Sequence, residues 1–142
     1  VQFARCCRPI PGDEILGYLG RGEGLVVHGH DCPGAKKLQH KDAERFITVE
    51  WSDEPVRMFE TGVVVTAKNG KGVLAKVAAA LAAAEVDIAH IDMGHEAKQD
   101  DVEFRFVVGV RDTGHLAQAL RNLNRRTASV MRAERRKVAA AG

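Results

Sequence analysis

The sequence predicts an α+β chain: a small β-β-α-β unit followed by a ferredoxin-like βαββαβ unit. Two apolar patterns and one change of composition predict it. From residue 63 onward the apolar spacing runs strand, helix, strand, strand, helix, strand, which is the split β-α-β order. Before it, two short apolar runs flank a glycine-rich turn. Between the halves, Trp51-Ser-Asp-Glu-Pro-Val-Arg57 is charged, carries a proline and marks a boundary. The expected division is residues 1–52, a linker at 53–58, a second unit at 59–137 and a tail at 138–142.

In the first unit, Ile15–Leu19 and Gly24–His28 read as strands joined by the turn Gly20-Arg-Gly-Glu-Gly24. A polar helix over Pro33–His40 follows, then a third strand over Phe46–Trp51. A unit of fewer than about 60 residues buries little core, so it needs a neighbour or a staple. In the second unit, Val63–Ala67 is a strand and Asn69-Gly-Lys-Gly72 a tight turn. Leu74, Val77, Ala78 and Leu81 then recur at helical spacing. Val86–Met93 alternates as a strand, and Asp100-Asp101 form a turn. Val102, Phe104, Phe106, Val108 and Val110 make one apolar face of a long strand. Leu116, Ala119, Leu120 and Leu123 repeat the helical stripe after a cap at Asp112 or Thr113, and Thr127–Arg135 closes the sheet.

The 142 residues are 45% hydrophobic and 28% charged, which is globular rather than disordered composition. Net charge is +2, too close to balance for the whole chain to act as an electrostatic nucleic-acid binder. Basic residues do gather late: Arg121 to Lys137 holds seven against one acid, Glu134. A solvated terminal strand explains that gathering; an RNA- or ribosome-docking surface of Arg121, Arg125, Arg126, Arg132 and Arg135 is the alternative. The longest apolar run, Val77–Ala84, is too short to span a bilayer. Three cysteines, no signal segment and an opening without methionine read as a piece of a longer, reduced, cytoplasmic protein.

The motifs exclude more chemistry than they supply. Asn69-Gly-Lys-Gly72 lacks the spacing of a phosphate loop, and His30-Asp31 stands without further metal ligands. No nucleophile, base and oxyanion site come together, so the expectation is a chain that catalyses nothing. Base stacking in the manner of an RNA-recognition sheet needs exposed aromatics, yet Phe104 and Phe106 share a face with Val108 and Val110. Cys6, Cys7, His28 and Cys32 have the ligand count of a structural zinc site. Adjacent cysteines in extended chain point to opposite faces, so one ion would need a kink, which Pro9 and Pro11 can impose. Zinc, buried unligated thiols and a regulatory disulfide all remain open. In the second unit, Gly70 and Gly72 permit close backbone approach, and amides around Val73 and Leu74 can hold a carboxylate. Val86, Ile88, Ala89 and Ile91 offer an aliphatic surface beside them, which suits a branched-chain amino acid. A tight strand–helix connection with the aliphatics in a core or dimer seam is the plainer reading.

"ARCCRPIPGDEILGYLGRGEGLVVHGHDC" resembles the conserved-cysteine (zinc-finger-like, ribosome-intersubunit) domain of long RelA/SpoT proteins. "GVVVTAKNGKGVLAKVAAALAAAEVDIAHIDM" resembles the ACT domain that ends them, and the wording around Asn69–Gly72 is similar to the SpoT-like, bifunctional branch. The resemblance implies a parent that makes and hydrolyses guanosine tetra- and pentaphosphate in the stringent response, its catalytic domains lying upstream. This chain would be the regulatory end, dimerising through the ACT sheets and sensing valine or isoleucine, or contacting tRNA and ribosomal RNA, or acting as a ligand-free inhibitory lid. Cys6, Cys7, His28 and Cys32 match the conserved-cysteine set, in which a structural zinc ion is an option and no other cofactor is expected. Asn69, Gly70, Lys71, Gly72, Val73 and Leu74 match the ACT ligand loop. ACT loops commonly read Asp-Arg-x-Gly-Leu-Leu. Here Lys68 or Asn69 replaces the acid, which removes an amine's partner and leaves carboxylate capture by the helix amides.

Overall fold

Two four-stranded sheets are laid out in sequence, and the computed structural model describes residues 2–52, 57–94 and 100–136. The first unit holds β1 (Gln2–Phe3), β2 (Ile15–Gly20), β3 (Gly24–Gly29), α1 (Pro33–Lys41) and β4 (Phe46–Ile47). The glycine turn makes β2 and β3 an antiparallel hairpin, Gly20 facing Gly24. Two features depart from the sequence reading. β1 is an additional strand, parallel to β3, and β4 ends at Ile47 instead of reaching Trp51. Trp51 turns inward to stack on Phe3, with ring centroids 5.6 Å apart, and its indole N–H donates to the Asp13 carbonyl.

The second unit holds β5 (Phe59–Lys68), α2 (Val73–Ala83), β6 (Asp87–Gly94), β7 (Asp101–Val110), α3 (Thr113–Arg126) and β8 (Val130–Arg136). Its sheet order, β6-β7-β5-β8, all antiparallel, is that of the split β-α-β fold. Val102, Phe104, Phe106, Val108 and Val110 are buried beneath both helices, as their alternation requires. Both phenylalanines are 2% exposed, which removes them from any base-stacking surface. Asp112 caps α3, its Oδ1 accepting the His115 N–H at 2.8 Å. The α2 stripe is rotated from its expected position. Val73, Val77, Ala80 and Leu81 face the core, and Leu74 faces outward. Of the expected linker, residues 53–56 lie outside the described residues, as does the tail.

The two sheets are joined by the segment that follows the cysteine pair. Ile10 is 0% exposed and belongs to the core of the second unit, among Phe104, Val110 and Leu116. Pro9 is fully buried beside it. Asp13 receives two guanidinium hydrogen bonds from Arg135 of β8, both 2.7 Å, and accepts the Ile10 N–H at 2.9 Å. Arg135 also donates to the Arg8 carbonyl and to the Thr61 hydroxyl. The Pro11 carbonyl accepts from the Thr113 N–H, and Gly12 sits at φ +102 against the Thr113 side chain. A Cβ at Gly12 would collide with that side chain in a backbone region L residues avoid. The small unit thus finds its missing core by inserting a wedge into its neighbour.

Candidate functional site

Cys6, Cys7, His28 and Cys32 converge at one end of the small unit. Cys32 precedes α1, His28 ends the hairpin, and the cysteine pair lies in the turn between β1 and the wedge. That turn supplies the kink that adjacent cysteines need. The Arg8 N–H bonds the Ala4 carbonyl at 2.9 Å, and Arg8 takes a left-handed φ of 43°. The kink therefore precedes the prolines rather than arising from them. Cys6 Sγ lies 3.6 Å from both Cys32 Sγ and His28 Nδ1; Cys7 Sγ is 3.8 Å from His28 Nδ1 and 3.9 Å from Cys6 Sγ. Four ligands at zinc distances in a tetrahedron would sit about 3.5–3.8 Å apart. Four of the cluster's six ligand–ligand distances, 3.6 to 3.9 Å, come close to those edges, and all four ligand atoms lie within 4.8 Å of one another. The three cysteines are free thiols, with the Cys6 and Cys32 sulfurs in non-bonded contact at 3.6 Å.

The surroundings favour neutral forms when no metal is held. Burial pushes the Cys7 thiol up to about 12, although the Gly29 N–H donates to its sulfur at 3.2 Å. Burial, then the neighbouring Cys32, raises Cys6, and burial lowers His28. An incoming cation therefore has to displace protons, and the Gly29 amide is oriented to stabilise the thiolate that remains.

The glycine loop lies at the far end of β5. Asn69, Gly70, Lys71 and Gly72 are exposed, Val73 is buried, and Gly72 adopts φ 77° at the start of α2. No side chain caps this helix, so its first-turn amides have no side-chain acceptor. Of the aliphatics expected beside it, Ile88 packs on the core and Ala89 falls at a bulge in β6. Ile91 is 37% exposed on the edge strand β6, together with Met93 at 53%, which sequence reasoning did not single out. Met93 shares the Phe104 register, so only the missing neighbour of an edge strand leaves it uncovered.

The five arginines expected on one basic surface do not stay together. Arg121, Arg125 and Arg126 line a cleft of about 540 Å³ with Arg111, which lies outside the late basic run. Arg132 lies on β8 near Glu134, both largely exposed. Arg135 is turned inward onto Asp13 with a side chain only 12% exposed, which removes it from any docking surface.

Comparison with known proteins follows the same division. Residues 1–52 match the RelA/SpoT RIS domain and residues 55–135 match the ACT domain. The chain is 36% identical over 124 residues to the bifunctional (p)ppGpp synthase/hydrolase SpoT of Escherichia coli K12, covering 87% of this chain and 17% of that protein. It is 36% identical over 124 residues to the bifunctional (p)ppGpp synthase/hydrolase RelA of Mycobacterium tuberculosis, covering 86% and 17%. Against the GTP pyrophosphokinase of E. coli K12 the identity is 30% over 123 residues, covering 87% and 16%. The chain thus spans about one sixth of the length of these relatives, and its two matched domains fit a regulatory role. By those matches the chain belongs to the ACT-domain family and is homologous to the C-terminal region of the RelA/SpoT proteins.

Proposed function

We propose that this chain is the regulatory end of a bifunctional (p)ppGpp synthetase/hydrolase, and that its ACT unit senses a branched-chain amino acid and passes the signal through the cysteine unit. The wedge is the observation that carries the reading. A ligand that shifts the ACT sheet acts on Ile10 and Asp13, only a few residues from Cys6 and Cys7. Two modules so joined respond as one body to upstream catalytic domains.

The uncapped start of α2 is the ligand carboxylate's partner in this proposal, and the exposed aliphatic edge of β6 is its side-chain surface or a seam to a second copy. Calorimetry with valine and isoleucine should give saturable heat that Gly72→Val removes, because Gly72 holds a left-handed backbone there. A flat titration of folded protein would sink the sensing role.

Cys6, Cys7, His28 and Cys32 would hold one structural zinc ion, whose chemistry is to cross-link the turn, the hairpin and the start of α1. Native mass spectrometry should find one zinc per chain, lost in Cys7→Ser and Cys32→Ser. Zinc affinity should rise with pH, because thiol protons leave on binding. Metal-free protein should show the opposite trend. With Cys7 raised from 9.0 to about 12, its protonated form contributes stability below pH 9 that is lost as pH climbs toward 12. Metal-free protein of unchanged stability across pH 7–10 would refute that sign.

A further inference from the structure

A cavity of about 680 Å³ opens between the two units, on the hairpin side of the wedge. Its size lies within the roughly 300–1,000 Å³ of small-molecule sites, which favour domain junctions. One wall is aliphatic, with Ile15 and Leu25 of the hairpin and Val49 after β4. The other is aromatic. Phe3 and Trp51 stack at 12°, and Phe59 meets both edge-on with centroids 5.4 and 5.5 Å away. All six side chains are only partly buried and line the cavity. The Trp51 indole N–H, held by the Asp13 carbonyl, fixes that ring in place.

The rim carries two cations and two acids. Arg111 is paired with Glu85, and Asp112 caps α3. Arg57 lies over the Phe59 ring at 4.7 Å, and neither it nor Glu50 has an ion-pair partner among the described residues. On that rim a polyphosphate would meet one cation and one acid without ion-pair partners among the described residues, so the charge pattern disfavours it. A bulky apolar body with one carboxylate fits: the body lies between the two walls, and the carboxylate takes the planar fork of Arg57. An α-ammonium, where present, would meet Glu50.

We infer that this junction cavity binds a small monocarboxylate with a bulky apolar body, at a site separate from the glycine loop. Phe59 and Lys68 are the two ends of β5, which places the sites about 30 Å apart at ~3.3 Å per residue. The inference goes beyond the sensing proposal and does not rest on it.

Trp51 is the chain's one tryptophan, so its fluorescence reports on the cavity directly. Titration with 3-phenylpropionate and with L-phenylalanine, which differ by the ammonium group, is the test. A saturable change with at least one of them is expected. Arg57→Gln and Val49→Phe should each weaken it about tenfold or more, the first by loss of a charge-assisted hydrogen bond and the second by filling the space. Glu50→Gln should weaken only the phenylalanine response, and circular dichroism should show all three variants folded. No saturable change with either compound overturns the inference, as does a response that both Arg57→Gln and Val49→Phe leave intact. A response lost in Gly72→Val but kept in Arg57→Gln would place binding at the glycine loop, overturning this site while leaving the sensing proposal standing.

Discussion

Ile10→Ala is expected to destabilise the protein by about 2–5 kcal/mol, the cost of removing a large aliphatic side chain from a closed core. Ile10 belongs by sequence to the small unit and by packing to the ACT core. The loss should therefore appear in unfolding of the ACT strands and not only of the cysteine unit. Urea denaturation followed by far-ultraviolet circular dichroism measures it, with Ile10→Val as a companion expected to cost about 0.5–1.5 kcal/mol. A change below about 1 kcal/mol for the alanine variant would mean that the wedge is a surface contact, because a contact of that kind costs no more than this.

Asp13→Asn should cost a comparable amount, about 3–5 kcal/mol, because it leaves the Arg135 guanidinium buried without its counter-charge. The side chains of the pair are 10% and 12% exposed, so solvent screens it little. Its loss should therefore persist in high salt. The double variant Asp13→Asn/Arg135→Met should be less unstable than the two single losses combined, since it removes the stranded cation as well as its partner. Arg132 and Glu134 give an internal contrast at 4.0 Å and mostly exposed; removing that pair should cost about 0–1 kcal/mol and depend on salt. Equal effects at the two pairs would contradict the burial argument.

The ACT fold was legible because its signals are local and periodic. Alternation from Val102 to Val110 and the spacing of Leu116, Ala119 and Leu123 record which side of an element meets the core. The stripe on α2 was misplaced because Leu74 and Val73 are both apolar, and only the packing says which one turns inward. β1 is two residues long and is defined by its partner β3, so nothing in Gln2-Phe3 announces it. The cysteine cluster was legible as a set of residues. Its closure was not, because the kink that brings Cys6 and Cys7 to one point is a left-handed Arg8, a residue type with no preference for that conformation. Arg135 was the largest misreading. In a run rich in arginine it looks solvated, and its partner lies 122 positions away. Ile10 between two prolines has no period at all, so the junction between the units had no sequence signature.

The wedge also imposes an order in time. Ribosomes release the first residues of a chain long before the last. Ile10 emerges while Phe104, Val110 and Leu116 have yet to be made, and Asp13 emerges before Arg135 exists. Until β8 is complete, the cysteine unit carries an apolar plug whose core has yet to form. A cation captured early by Cys6, Cys7, His28 and Cys32 would hold the waiting unit in shape during that interval. The closing strand then seals two units at once, and their joining is the contact of longest range in the chain's described hydrogen bonds, 122 to 127 positions apart.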